Sequence, residues 1–203
     1  MIKEIPKKIL ERYDNNKLYV RLRWRLCPFE LIESLVPKKG TIIDIGCGYG
    51  ILANLMYLKN KDRKIIGIDS SEKRINIAKR SNNQIRFLLS KAESFEINNF
   101  DAAIMSDFLH HINYGAQDKL LKEVYKRLNK NGTLIIQEIC HKPFWKYLTV
   151  WIIDRILNPG KGIYYRKEEE IINLLSKIGF RVKKVRADKD LPLSDIIYLC
   201  KKI

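Results

Sequence analysis

The sequence predicts an α/β fold: a seven-stranded, mostly parallel sheet with helices on both faces and an antiparallel strand at the C-terminal end. Three observations carry that expectation. Short runs rich in Ile, Leu and Val recur between residues 41 and 137, as strands buried on both faces do. Helical patterns separate most of them, and strands alternating with helices build parallel sheets. Two more strand-like runs lie close together near the C-terminus, which suits an antiparallel pair at one edge.

In order, the first strand covers residues 41–45 and a helix follows at 51–58. The second strand is 64–68, its helix 72–80, and the third strand 85–89. A short connection containing 92–95 leads to the fourth strand, 101–105. The helix at 117–128 precedes the fifth strand, 133–137. A later helix at 167–178 places Ile171, Ile172, Leu174, Leu175 and Ile178 on its buried side, with Gly179 as C-cap. Strands 180–186 and 195–200, joined through a turn at 188–192, complete the set. Residues 39–203 form the expected domain, with an insert at about 141–165. Residues 1–38 form an N-terminal cap directed at substrate or surface.

A chain of 203 residues can enclose a sizeable core, and with 46% hydrophobic residues it can offset its ordering entropy. No apolar run is long enough to span a bilayer, and the Met1–Lys8 segment lacks the features of a secretory signal. A cytoplasmic location follows, extending to the inner face of a membrane. The cysteines, Cys27, Cys47, Cys140 and Cys200, show no Cys-x-x-Cys spacing, which argues against a zinc ribbon or redox pair, and no metal site is expected. Lys and Arg exceed Asp and Glu by 39 to 23, a formal charge of +16. That excess favours an anionic partner: nucleic acid, an anionic membrane surface or an acidic small substrate. A general bias toward Lys, Ile and Asn is the competing explanation.

The chemistry concentrates first in Ile42-Ile43-Asp44-Ile45-Gly46-Cys47-Gly48-Tyr49-Gly50. Here an apolar strand ends near a carboxylate, and alternating glycines lead into a helix. Glycine lets the chain turn sharply and lets a ligand approach the backbone, while the helix N-terminus leaves N–H groups free for an anion. The second strand ends in Ile66-Gly67-Ile68-Asp69-Ser70. A carboxylate in that place can accept both ribose hydroxyls of a nucleoside. Asp69 could instead cap the helix that Ser70-Ser71-Glu72 opens.

These residues resemble the class I S-adenosylmethionine-dependent methyltransferases, whose first motif is an acidic residue followed by Gly-x-Gly-x-Gly, here Asp44, Gly46, Gly48 and Gly50. A nicotinamide enzyme would place its third glycine at residue 51, which is Ile. The resemblance implies a Rossmann-like sheet, methyltransferase activity and S-adenosylmethionine as cofactor. It implies cofactor contacts from Asp44, Gly46, Cys47, Gly48, Asp69 and Ser70. It further implies an adenine site at Ala92 and Glu93, in Ser90-Lys91-Ala92-Glu93, where Lys91 replaces the family's usual Asp. Ser106 and Asp107, in Ser106-Asp107-Phe108-Leu109-His110-His111, match the loop that lines the methyl-donor pocket. Adjacent histidines make poor shared metal ligands, and His111 is the candidate general base or acceptor-orienting group, with simple packing or capping as the alternative. A sulfonium is already a good leaving group, so methyl transfer needs mainly an in-line approach at short distance.

The insert carries His141-Lys142-Pro143-Phe144-Trp145-Lys146-Tyr147-Leu148-Thr149-Val150-Trp151-Ile152. It reads as a lid over an apolar pocket, as a core helix or as a helix in a membrane interface. Residues 17–26 alternate aliphatic or Trp with mostly basic residues, which is strand periodicity, whereas the family usually has helices there, and the two readings stay open. Three arginines near Trp24 could meet phosphates or form a solvated basic face. Together these features favour a small or lipid-like acceptor with an apolar body. An RNA methyltransferase and a non-catalytic cofactor-binding module are the rivals. The chain lacks the Asn/Asp-Pro-Pro-aromatic motif of amino-directed nucleic-acid enzymes.

Overall fold

The computed structural model describes residues 4–140, 144, 145, 148, 151, 152, 162–187 and 195–203. Seven strands form one sheet: β1 (Gly40–Ile45), β2 (Arg63–Asp69), β3 (Arg86–Leu89), β4 (Phe100–Ser106), β5 (Leu128–Ile139), β6 (Phe180–Arg186) and β7 (Asp195–Lys202). Their order is β3-β2-β1-β4-β5-β7-β6. β7 lies between β5 and β6, antiparallel to both, and the remaining pairs are parallel. The chain winds outward from β1 in one direction and from β4 in the other. The carboxyl ends of these two strands therefore border the crevice where open α/β sheets bind ligands.

Side-chain alternation along the strands divides the interior into two layers. Ile42, Ile65, Ala102, Ile104 and Ile135 face one side. They meet Leu52, Leu55 and Met56 of α4 (Ile51–Lys59) and Ile75 of α5 (Glu72–Ser81). Ile43, Ile45, Ile66, Ala103, Met105 and Ile136 face the other. There they pack on Leu120, Leu121 and Val124 of α6 (Tyr114–Arg127) and Ile171 and Leu175 of α7 (Glu168–Ile178). Local chemistry sets the helix ends. Ser71 and Asn113 accept backbone N–H bonds at the starts of α5 and α6, and Gly179 closes α7 in the left-handed region at φ 116°.

The N-terminal segment is helical: α1 (Lys7–Leu10), α2 (Lys17–Leu26) and α3 (Phe29–Leu35). The strand-like alternation at 17–26 is thus overridden. Val20 and Trp24, one helical turn apart, both bury in the layer that holds α4, while Leu18 and Leu22 point outward. Ile9, Tyr13, Phe29 and Ile32 bury in the same layer. The turn expected at 188–192 and most of the insert fall outside the described residues, although the backbone at 144, 145, 148, 151 and 152 is helical. Among the described residues no helix is long and apolar enough to cross a membrane. Cys27, Cys140 and Cys200 are buried and Cys47 is half-buried, all as free thiols.

Candidate functional site

The loop between β1 and α4 is fastened to the end of β2, because the N–H groups of Gly46 and Cys47 both donate to the Ile68 carbonyl, at 2.8 and 3.0 Å. Gly46 adopts φ 76°, and a Cβ there would collide with the Phe108 ring. Gly48 is also left-handed, but a Cβ on it would meet nothing within 4 Å. The first glycine therefore serves close packing and the second leaves its backbone approachable.

Asp69 ties this loop to the start of α5. Its Oδ2 accepts from Gly48 N at 3.0 Å and its Oδ1 from Ser71 N at 2.8 Å. Ser71, rather than Asp69, is the helix cap. Each Asp69 oxygen keeps a further acceptor position, as a pair of ribose hydroxyls requires. Beside it opens a cavity of about 280 Å³, lined by the expected residues Gly46, Asp69, Ser70, Ala92 and Glu93. Ile68, Ser90, Lys91, Phe108 and Ile112 complete the lining and were not among the expected cofactor residues. Asp44 lies deeper. Burial, and then the charge of Asp69, raises its carboxyl to about 7, and its Oδ2 has no hydrogen-bond partner. An orphaned buried oxygen calls for a donor from a ligand or water.

The expected residues Ser106 and Asp107 stand outside that cavity, in a second polar cluster at the carboxyl ends of β4, β5 and β7. Ser106 Oγ donates to Gln137 Oε1 at 2.8 Å, and Gln137 Nε2 donates to Asp195 Oδ1 at 2.7 Å. Asp107 Oδ2 accepts from Arg23 Nη1 of α2 at 2.7 Å. Burial alone would raise the Asp107 carboxyl, but Arg23 and then His110 hold it down to about 2. Burial, reinforced by Asp107, pushes Asp195 to about 8, against the opposing pull of its Gln137 hydrogen bond and of Arg23.

The two histidines differ. His110 is buried, with Nδ1 2.7 Å from Glu138 Oε2, and Glu138 Oε1 accepts from Leu109 N at 2.8 Å. His111 is exposed, its ring 4.2 Å from that of His110. Desolvation within this crowded loop lowers His111 to about 4, aided by His110, Arg74 and Arg23 and opposed by Asp107. At neutral pH it is uncharged, with a lone pair to offer and little basicity. Among the described residues no group of three or more His, Cys, Asp or Glu side chains could hold a metal ion.

A methyltransferase domain model matches residues 19–185. The chain belongs to that family. Its cofactor is S-adenosylmethionine, and three observations fit that molecule: the acceptor positions on Asp69, the open approach to Gly48 and the orphaned oxygen of Asp44. The chain is 28% identical over 159 residues to the demethylmenaquinone methyltransferase of Thermotoga maritima, covering 71% of this chain and 68% of that protein. It is 28% identical over 113 residues to the carboxy-S-adenosyl-L-methionine synthase of Campylobacter hominis, covering 54% of this chain. The chain spans about half the length of that synthase, 48%. Among solved structures, a SAM-dependent methyltransferase from Thermotoga maritima superposes with a TM-score of 0.71 at 22% identity, covering 96% of this chain and 99% of that one. Human N-acetylserotonin methyltransferase in complex with SAM gives a TM-score of 0.72 at 19% identity, covering 95% and 56%. Both share the Rossmann-like fold.

Proposed function

We propose that this methyltransferase transfers a methyl group from S-adenosylmethionine to a small or lipid-like acceptor with an apolar body. The bound cofactor supplies an electrophilic methyl group on a sulfonium. In this reading Asp69 holds the ribose, Ser70, Ala92 and Glu93 border the adenine, and Asp44 with the backbone of residues 46–48 meets the amino-acid end. Ser106 and Asp107 shape the wall at the reacting end, and neutral His111 orients the acceptor. Phe108 and Ile112 give the cavity beside Asp69 an apolar face that excludes water.

The observation that carries the acceptor class is where large apolar side chains are exposed. Leu18 and Leu22 of α2 are 81% and 53% exposed, and Phe144, Trp145, Leu148, Trp151 and Ile152 are exposed in the insert. α2 reaches Asp107 at the carboxyl edge of the sheet, and the insert follows β5 in the chain. Soluble proteins seldom leave such patches without a use. One relative is named for demethylmenaquinone and one structural neighbour for N-acetylserotonin, which accords with an apolar acceptor.

The same surface supports attachment to an anionic membrane, because Arg21 and Arg25 are exposed and Lys17 half-exposed on α2 beside Leu18 and Leu22. Two experiments test these readings. Labelled S-adenosylmethionine incubated with lipid, metabolite and RNA fractions should label the lipid or metabolite fraction, and label confined to RNA would overturn the acceptor class. Flotation should recover the protein with anionic vesicles and not with neutral ones. Replacing Leu18 and Leu22 by Glu should cut that recovery several-fold, and recovery near zero with both vesicle types would exclude attachment.

A further inference from the structure

Two arginines in the N-terminal half are covered by the fold and use their donors very differently. Arg63 is saturated. Its Nε donates to the Pro37 carbonyl at 2.8 Å, Nη1 to Glu33 Oε1 at 2.6 Å and Met56 O at 3.0 Å, and Nη2 to Val36 O at 3.1 Å. That is how a structural guanidinium offsets its desolvation. Arg23 is only 25% exposed at the side chain, yet it donates one hydrogen bond, from Nη1 to Asp107 Oδ2 at 2.7 Å. Its Nε and Nη2 donate to no described residue, so one whole edge of the fork is unspent.

Arg23 sits beside the crevice at the carboxyl ends of the strands. One helical turn before Arg23, the Tyr19 ring stacks on Tyr49 of the glycine loop at 4.3 Å between centroids. Asp107, the residue that Arg23 grips, immediately precedes Phe108, which lines the adenosine cavity. Helix α2 therefore bridges the ends of β1 and β4 and carries Arg23 over the crevice between them. The Nε–Nη2 edge of a guanidinium matches a carboxylate in two parallel hydrogen bonds, a geometry that lysine cannot supply.

We propose that Arg23 is the carboxylate-binding residue of the methyl-transfer end of the cleft, with Asp107 holding its other edge in place. This rests on the cleft being the S-adenosylmethionine site. The carboxylate belongs either to the amino-acid part of the cofactor or to the acceptor, and calorimetry separates the two. In the first case, wild-type protein binds decarboxylated S-adenosylmethionine roughly ten- to a hundredfold more weakly than S-adenosylmethionine. R23Q then loses the same factor on S-adenosylmethionine and nothing further on the decarboxylated form. R23K, which keeps the charge and loses the fork, falls between and serves equally if R23Q folds poorly.

In the second case, R23Q binds both nucleosides as wild type does. Methyl label entering the acidic fraction of a metabolite extract falls at least tenfold, while label entering the neutral fraction is unchanged. If R23Q matches wild type in both assays, or loses label equally from acidic and neutral fractions, the assignment is wrong. If wild-type protein binds neither nucleoside, the cofactor site itself is misplaced, and the assignment falls with it.

Discussion

The proposed adenosine end of the cleft and the proposed methyl-transfer end are built on different plans. The adenosine end comes from three loops, each following its own strand: residues 46–50 after β1, 70–71 after β2 and 90–94 after β3. Its contacts are largely backbone N–H groups and one carboxylate, Asp69. The methyl-transfer end is assembled from side chains far apart in the chain, Arg23 with Asp107, His110 with Glu138 and Gln137 with Asp195. The first plan suits an invariant nucleoside. The second can be rebuilt for each acceptor without disturbing the first, as sites grafted on a common fold require.

The largest effect should come from Gly46, where the two ends touch. Gly46→Val puts a β-branched side chain at φ 76° and into the Phe108 ring, and no cofactor binding should be measurable by calorimetry. Adding Phe108→Ala relieves the collision but not the backbone strain, so only part of the affinity should return. Full return would mean that packing alone fixes this glycine.

Asp69→Ala comes next. It removes the ribose acceptor and the anchor of Gly48 N together, and should weaken S-adenosylhomocysteine binding roughly a hundredfold, as loss of a charged hydrogen-bonding group does. An unchanged dissociation constant would leave Asp69 with only its loop-fastening role.

At the other end the buried acids predict a pH signature. Asp195 is raised to about 8 from its ordinary 3.8, so between those values the folded state keeps a proton that the unfolded state gives up. Stability therefore falls as pH rises through that window, and Asp44, raised to about 7, acts in the same direction. Asp107, held at about 2, contributes stability above its ordinary 3.8 that is lost only as pH falls toward 2. Asp195→Asn should match wild type near pH 4 and melt progressively higher than it as pH rises to 8, by roughly 2–4 °C for each kcal/mol of relieved strain. Parallel melting curves across pH 4–8 would place no buried charge at Asp195.

The smallest effect is expected at His111. Already neutral at pH 7 and held to about 4, it can orient an acceptor but gains little as a base. His111→Gln should lower kcat by less than about tenfold, below the range of true general-base catalysis. A larger loss that follows an ionisation near pH 7 would reassign it.

The same contrast explains what could be read in the sequence. Asp44, Gly46, Gly48, Asp69 and Ala92 stand at strand ends or in the loops that follow them, where the chemistry is local, so short motifs expose them. The ring of Phe108 against Gly46, and Ile112 in the cavity wall, are set by tertiary packing that no spacing encodes. The Arg23–Asp107 pair joins residues 84 positions apart. Its helix also hides in the sequence, since α2 carries apolar residues on both its buried and its exposed faces and so imitates a strand's alternation. Asp195 at the start of β7 gave no signal, because only the antiparallel pairing of β7 with β5 brings it to Gln137.

The most direct measurement is a crystal structure with S-adenosylhomocysteine. The account predicts the adenosine in the cavity bordered by Asp69 and Ala92, with both ribose hydroxyls within hydrogen-bonding distance of the Asp69 carboxylate and the thioether sulfur directed toward Asp107 and His111. A nucleoside bound anywhere else, or a ribose turned away from Asp69, would contradict it.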